Sequence, residues 1–377
     1  MLLFFALLTF ACAFAVVYPY VVFPAVLALL PKRPVERGAR VAGDGARFSL
    51  LFCAYNESAA LPSKIENLKE LRRRYPELEV LAFDDGSTDG TADLLARDAP
   101  FVKLVRGGGR NGKAHGMKLL AAAASGEFLV FTDANVLLDA EALDNLAACY
   151  ADPSVGGVCG ALHYLGADGS STAAVGGMYW KLEEKIKDLE SGTGSVMGAD
   201  GSIFSIRRKL YPDFPDTVLD DFTVSMEVVF RGFRLIKSND VVAYERLVSA
   251  RADEFSRKIR IAARAFHTHL TLGSKRSGMT AFDKFKYGSH KTLRWFGGGF
   301  LIVGFASALV LATLIHPFAA LVLALTTVGI VFTGFRSSSG PMSFVTEIVL
   351  AMVATLIGLF RALRGQTFAT WSPAKSR

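Results

Sequence analysis

Residues 2–30 contain no charged side chain, and three more apolar runs follow at 296–315, 317–335 and 342–360. Each is close to or longer than the ~20 residues that cross a bilayer. A chain with such ends cannot fold as one water-soluble globule. Its 51% hydrophobic content and mean hydropathy of +0.33 come from these ends. The block between them, about 250 residues, has ordinary globular composition.

The first run begins Met1-Leu2-Leu3-Phe4-Phe5 without a basic residue, which predicts an uncleaved anchor over 1–31 rather than a signal peptide. Lys32, Arg33, Arg37 and Arg40 follow against Glu36 alone, so the positive-inside rule places the next residues in the cytoplasm. The C-terminal end fits that rule less well. Three crossings would leave Arg361, Arg364, Lys375 and Arg377 outside, and Glu347 makes 342–360 the weakest span. The expected count is three or four, in a multi-pass protein of the inner membrane. The formal charge of +7 and pI near 9.2 come from basic residues beside the apolar runs. They point to anionic lipid as partner and not to nucleic acid. Cys12, Cys53, Cys149 and Cys159 show no metal spacing and read as reduced apolar residues.

Within the central block, strand-like runs alternate with helical spacing. Phe48–Ala54, Val80–Phe83, Val102–Val105, Phe128–Thr132 and Val155–Leu162 read as strands; 60–75, 89–97, 113–124 and 139–150 read as helices. That alternation predicts an α/β domain with a parallel sheet. Ligands of such sheets bind outside the carboxyl ends of the strands. Ala54-Tyr55-Asn56-Glu57, Asp84-Asp85 and Asp133-Ala134-Asn135 all fall there. Tyr55, Asn56, Glu57 and Asp85 are placed to bracket a base and ribose. Asp84 or Asp85 suits a ring N–H or ribose hydroxyls. A diphosphate among these aspartates needs a divalent cation, Mg²⁺ or Mn²⁺, with Asp133 the best ligand candidate. Each Asp taken singly reads as a turn or cap residue; the set together does not.

These motifs, over about residues 48–296, resemble the catalytic domain of membrane-bound family 2 glycosyltransferases, the group that includes cellulose, chitin and hyaluronan synthases. The resemblance implies a GT-A nucleotide-diphospho-sugar domain. It assigns donor binding to Asn56, Glu57 and Asp85, and metal binding to Asp133 and Asn135, where Asn replaces the second acid of a DxD motif. It makes Asp221 of Asp220-Asp221 the catalytic base, although Asp221 at the start of a helical pattern also reads as an N-cap. The family's Gln-x-x-Arg-Trp motif is altered. By spacing it falls on Arg257-Lys258-Ile259-Arg260-Ile261, giving Arg257 and Arg260 to the diphosphate; Lys291-Thr292-Leu293-Arg294-Trp295 is a second match farther on. Both stretches also read as amphipathic interfacial helices. Gly107–Lys113 satisfies Gly-x4-Gly-Lys, but Ala114 offers no hydroxyl for a metal, which argues against a nucleoside triphosphatase. The resemblance instead puts Arg110 and Lys113 in the donor loop.

On the acceptor side, Gly198-Ala199-Asp200-Gly201-Ser202 matches a family loop, so Asp200 is a candidate for an acceptor hydroxyl and Trp180 for stacking on sugar. Asp200 also reads as a plain turn residue and Trp180 as packing. His163, His267 and His269 read as structural, and Trp371-Ser372-Pro373 resembles a terminal family motif. The expected organisation is an anchor over 1–31, a GT-A domain over 45–250, interfacial helices over 251–296, and a membrane region with basic tail over 297–377. The expected activity is inverting sugar transfer from a nucleotide sugar, a UDP-sugar for preference, to a lipid-linked saccharide. The alternatives are processive synthesis of a β-linked polymer with export, and a non-catalytic sugar-binding subunit. Polysaccharide-assembly proteins are expected as further partners.

Overall fold

The computed structural model describes residues 1–38, 46–165, 171–246, 251–337, 339–368 and 370. Arg40, Trp371–Pro373, Lys375 and Arg377 lie outside them.

Two apolar helices, α1 (Leu2–Val17) and α2 (Val22–Leu29), open the chain. The central block then runs β1 (Phe48–Ala54), α3 (Leu61–Arg74), β2 (Glu79–Asp84), α4 (Thr91–Asp98), β3 (Lys103–Arg106), α5 (Lys113–Ala123), β4 (Phe128–Asp133), β5 (Leu137–Leu138), α6 (Ala142–Tyr150), β6 (Val155–Leu165), α7 (Ser171–Gly192), β7 (Ile203–Arg207), α8 (Asp220–Phe230) and β8 (Arg234–Arg246). After α9 (Arg251–Thr271) and α10 (Ala281–Tyr287), a π turn leads into α11 (Leu293–Trp295), and α12 (Gly297–Ile315), α13 (Pro317–Arg336) and α14 (Pro341–Leu363) complete the chain.

The sheet has eight strands in the order β3-β2-β1-β4-β7-β6-β8-β5. β1 is buried along its whole length between β2 and β4, parallel to both. Its register pairs Ala54 with Asp84 and Cys53 with Asp133, so all three strands end at one level and their acidic ends share one crevice. Alternation divides the core. Leu50, Phe52 and Ala54 pack under α3 and α6; Leu51 and Cys53 pack under α5 and α8. α3 buries Leu61, Ile65, Leu68 and Leu71 as one stripe.

The parallel expectation holds for β3, β2, β1 and β4. Beyond them the sheet is mixed: β7 is antiparallel to both β4 and β6, and β5 is antiparallel to β8. The reason is the long helix α7, which carries the chain back so that β7 inserts between β4 and β6. β6 keeps the direction of β4 but not its contact.

The N-terminal anchor is also not one straight span. α1 and α2 bend by 60° at Tyr18–Val21, where Pro19 removes a helical donor. α12, α13 and α14 are each long and apolar enough to cross a membrane, and α14 meets that test despite Glu347. Small residues bring the helices close: Gly304 faces Cys12 between α12 and α1, and Gly358 lies on Ile259 and Ala262 between α14 and α9.

Gly116 sets the height of α5 over the sheet. A Cβ there would lie 2.3 Å from Phe83 Cδ1 and 2.8 Å from Cys53 Sγ. Gly116→Val is expected to destabilise the domain by about 1–3 kcal/mol, read as a lower midpoint of thermal unfolding in detergent.

Candidate active site

The half of the crevice beside β1 and β2 is made by backbone turns that the side chains hold shut. Asn56 sits in the left-handed region (φ 52°), a conformation Asn tolerates better than most residues. Its Oδ1 accepts from Thr88 N at 2.9 Å and its own N–H donates to Ser87 Oγ at 3.0 Å. Glu57 is buried, with its N–H donating to Thr91 Oγ1 at 2.9 Å. Asp85 is fully buried; its Oδ1 accepts from Asn111 N at 2.7 Å and Gly112 N at 3.0 Å, just ahead of α5. Arg110 Nε donates to the other oxygen at 3.2 Å, and its guanidinium lies 3.3 Å above the centre of the Tyr55 ring. Asp85 therefore organises the glycine-rich loop, while Arg110 on Tyr55 presents a flat cationic face to the crevice. Asp84 donates nothing and accepts from Ser87 N at 3.3 Å; among the described residues its Oδ1 has no partner.

The reactive half is a knot of charge. Lys113 opens α5, and its Nζ donates to Asp133 Oδ1 at 2.6 Å. Gly201 reports the rest. A Cβ there would lie 2.9 Å from Lys113 Nζ, 3.1 Å from Asp221 Oδ2 and 3.9 Å from Asp133 Oδ2. A side chain there would crowd Lys113 Nζ and Asp221 Oδ2 and touch Asp133. Burial works against the Lys113 charge, but Asp133, Asp220 and Asp221 together hold the ammonium well above its ordinary range. Asp221 moves the other way: burial, and next the neighbouring Asp220 carboxylate, push it up to about 7. That outweighs its place in the first turn of α8, where the helix dipole favours ionisation. The helix is capped by Leu219, so Asp221 is not the N-cap.

Arg257 and Arg260 lie on α9. Arg257 is paired with Glu254, Nε to Oε2 at 2.9 Å, one turn away on the same helix. The α9 arginine that reaches the acid pair is Arg264, two turns on: it donates to Val218 O at 2.8 Å and stands 3.9 Å from Asp220. Thr268 adds a hydroxyl that accepts from Leu219 N at 2.8 Å. Seven-residue spacing from Arg257 was the available signal for Arg264. Of the two expected acceptor residues, Asp200 accepts from Lys187 Nζ at 2.6 Å, and the same ammonium lies 5.0 Å from the Trp180 ring centre. Lys187, which the motifs did not flag, thus joins both candidates. Trp180 also donates to Leu162 O at 3.2 Å and packs edge-on to Tyr164, as a core residue does.

Among the described residues no three His, Cys, Asp or Glu side chains gather as a metal cluster. A smaller oxygen set fits a hard cation that is completed by the ligand's own phosphates. Asp133 is one-third exposed, and Asn135 turns its Nδ2 to Glu245 at 2.9 Å, leaving a buried Oδ1 with no partner among the described residues. An orphaned carbonyl oxygen beside a carboxylate suits Mg²⁺ or Mn²⁺. Just beyond, the buried Lys64, lowered by burial to about 7, donates to Val136 O at 2.6 Å and holds this loop.

Asn135→Asp would add a second carboxylate facing Glu245. It is expected to lower the thermal midpoint without metal and to tighten Mn²⁺ binding about tenfold, measured by calorimetry.

Residues 49–214 match the family described as Glycosyl transferase family 2. The chain is 25% identical over 204 residues to a poly-beta-1,6-N-acetyl-D-glucosamine synthase of Staphylococcus aureus, covering 50% of this chain and 47% of that protein. It is 30% identical over 122 residues to the Staphylococcus epidermidis protein of that name, covering 30% and 28%. The chain thus spans about half or less of the length of the curated relatives it matches. A mannosyltransferase from Pyrobaculum calidifontis, solved with GDP-Man and Mn²⁺, superposes with a TM-score of 0.77 at 22% identity, over 96% of this chain and 99% of that one. Residues 49–214, which carry the level strand ends with Lys113 and Asp133, are thus similar to the glycosyltransferases of family 2, and the superposition shows a GT-A fold.

Proposed function

We propose that the protein is a membrane-bound inverting glycosyltransferase that moves one sugar from a nucleoside-diphosphate sugar to a lipid-linked saccharide in cell-surface glycan synthesis. The observation that carries this is the meeting of Asp221, pushed up to about 7, with Lys113 and Asp133 at Gly201. A base in that range is matched to taking a proton near neutral pH.

In this mechanism Asp221 accepts the proton of the acceptor hydroxyl as its oxygen attacks the anomeric carbon. The bond to the diphosphate breaks on the opposite face, and configuration inverts. Lys113 stays charged throughout and keeps Asp133 in place. Tyr55, Asn56, Glu57, Asp84 and Asp85 frame the nucleoside, with Arg110 on Tyr55; Arg257 and Arg260 stand on α9 for the diphosphate. Asp133 and Asn135 would hold Mg²⁺ or Mn²⁺, which when bound supplies countercharge to the diphosphate. Asp200, held by Lys187, and Trp180 form the acceptor wall. A UDP-sugar is our proposed donor. The mannosyltransferase solved with GDP-Man and Mn²⁺ makes a GDP-sugar the second donor to test.

A second reading, processive synthesis of a β-linked polymer with export, is favoured by the names of the staphylococcal relatives. We place the chain in the bacterial inner membrane as a multi-pass protein with its catalytic domain in the cytoplasm; α12, α13 and α14 support the membrane setting.

Purified protein in lipid, offered UDP- and GDP-sugars with Mn²⁺ and a polyprenyl-diphosphate saccharide, is expected to release nucleotide from one donor. Asp221→Asn should lower that release by at least about 10³-fold. Product sizing separates one transfer from many. No release and no donor binding would overturn the reading.

The rate should also depend on pH in a defined direction. kcat/KM is expected to fall tenfold per unit below about pH 7 as Asp221 takes a proton. Asp220→Asn removes the adjacent carboxylate and should move that limb downward. The same group makes stability fall as pH rises from its unfolded value of 3.8 toward 7, because the folded state holds the proton more tightly.

A further inference from the structure

The segment Lys291–Trp295 has no part in the chemistry above, yet it is built with care. α10 does not continue as one amphipathic helix: a π turn at Gly288–Thr292 interrupts it, and such turns gather at functional sites. The turn sets His290 between Glu183 and Glu190, at 2.9 and 2.8 Å, and brings Lys291 Nζ to Glu183 at 3.2 Å. Arg294 follows with its side chain 10% exposed. Its Nη1 donates to Glu183 Oε2 at 2.5 Å and to Tyr179 Oη at 3.4 Å. Its Nε and Nη2 have no hydrogen-bond partner among the described residues.

A buried guanidinium edge without an acceptor is costly. The Nε–Nη2 edge is also the fork that grips a phosphate or carboxylate through two parallel bonds. Its plane is set by aromatic rings, with Tyr20 and Tyr179 centred 4.7 and 5.9 Å from the guanidinium carbon. Tyr20 belongs to the break between α1 and α2, and Tyr18 Oη in the same break lies 3.2 Å from Ser289 Oγ. The bend of the apolar hairpin is therefore seated on the π turn. The Lys291 stem points the other way: a Cβ on Gly198 would lie 4.0 Å from Lys291 Cε and 2.6 Å from the ring of Phe222, the residue after Asp221. Lys291 and Arg294 thus lie between the Asp221–Phe222 start of α8 and the break between the apolar helices α1 and α2.

We propose that Arg294 and Lys291, framed by Tyr20 and Tyr179, bind the phosphate of the membrane-lipid-linked acceptor and so bring its sugar end to Asp221. This rests on the reading of Asp221 as the base that faces the acceptor. The acid that could fill the fork from within the protein, Glu183, is already bonded to Nη1, so among the described residues the buried Nε–Nη2 edge has no acceptor. Lys291, 21% exposed, supplies a second charge from the solvent side.

The test is equilibrium binding of farnesyl phosphate to the full chain in phosphatidylcholine nanodiscs, alongside donor-nucleotide binding. Arg294→Lys keeps the charge and removes the fork; it is expected to weaken farnesyl phosphate about 10- to 100-fold and leave the donor dissociation constant in place. Lys291→Gln should weaken it less, and Tyr20→Leu gives an independent comparison should Arg294→Lys fold poorly. A loss of donor affinity instead would assign the fork to the nucleotide diphosphate and overturn the proposal. Unchanged binding in all three variants would reduce Arg294 to a partner of Glu183. Inorganic phosphate binding as tightly as farnesyl phosphate, or phosphatidylglycerol displacing it equally, would overturn the assignment to the acceptor lipid. Binding needs no turnover, so Asp221→Asn should bind farnesyl phosphate at wild-type strength. Failure of sugar transfer and failure of this site are thereby separate results.

Discussion

One ion pair holds the reactive crevice together. Lys113 and Asp133 meet at 2.6 Å in a place where Asp220 and Asp221 also converge. Three carboxylates so close would repel one another in a partly desolvated site. The single ammonium at the start of α5 reduces that cost, and it stays charged because the acids surround it. Its position follows from the backbone. Gly116 lets α5 sit against Phe83 and Cys53, and Asp85 takes the free amides just ahead of the helix. Gly201 then leaves the space in which the charges meet. At Asp221 the Lys113 charge pulls the other way, but burial and Asp220 outweigh it.

The turn that leads into Asp220 and Asp221 is tied to the apolar C-terminal helices. α9 carries Arg264 and Thr268, which hold Val218, Leu219 and Asp220 from behind. α9 in turn packs on α14 through Gly358 with almost no clearance. A shift of α14 would therefore reach the Asp220–Asp221 pair through two contacts. The N-terminal hairpin is fastened in a similar way. Arg33 N donates to Gly192 O at the end of α7, and Arg234 donates to the carbonyls of Arg33 and Pro34. The apolar helices and the sheet domain are thus joined by packing through α9 at the C-terminal end and by hydrogen bonds after α2 at the N-terminal end, in addition to chain connectivity.

Much of the fold was legible because its signals are local. The apolar runs Phe48–Ala54 and Phe128–Thr132 are strands in the structure, and the stripe Leu61, Ile65, Leu68, Leu71 is a helix face. The motifs at Asn56, Asp84 and Asp133 do stand at strand ends. The antiparallel β7 was not legible, since its neighbours are chosen by where α7 delivers the chain. The break in α1–α2 was marked only by Pro19 and Pro24 inside an otherwise uniform apolar run. The π turn at Gly288–Thr292 left no pattern at all, because a one-residue insertion in a helix does not change composition.

In the candidate site the division is the same. Residue order and the family resemblance singled out Asp133, Asn135, Lys113 and Asp221 as candidates, and the structure brings Lys113, Asp133 and Asp221 together around Gly201. Partnership was not readable: Arg264 in contact with the acid pair, Lys187 between Asp200 and Trp180, and the open fork of Arg294 all join residues far apart in the chain. The sequence by itself determined an α/β block between long apolar runs, with acids at the ends of its strands, because hydropathy and periodicity are properties of neighbouring residues. Only the tertiary structure decided which charges meet, how far Asp221 is raised and which donors are left without an acceptor, because Coulomb energy and desolvation depend on distance and burial in the folded chain.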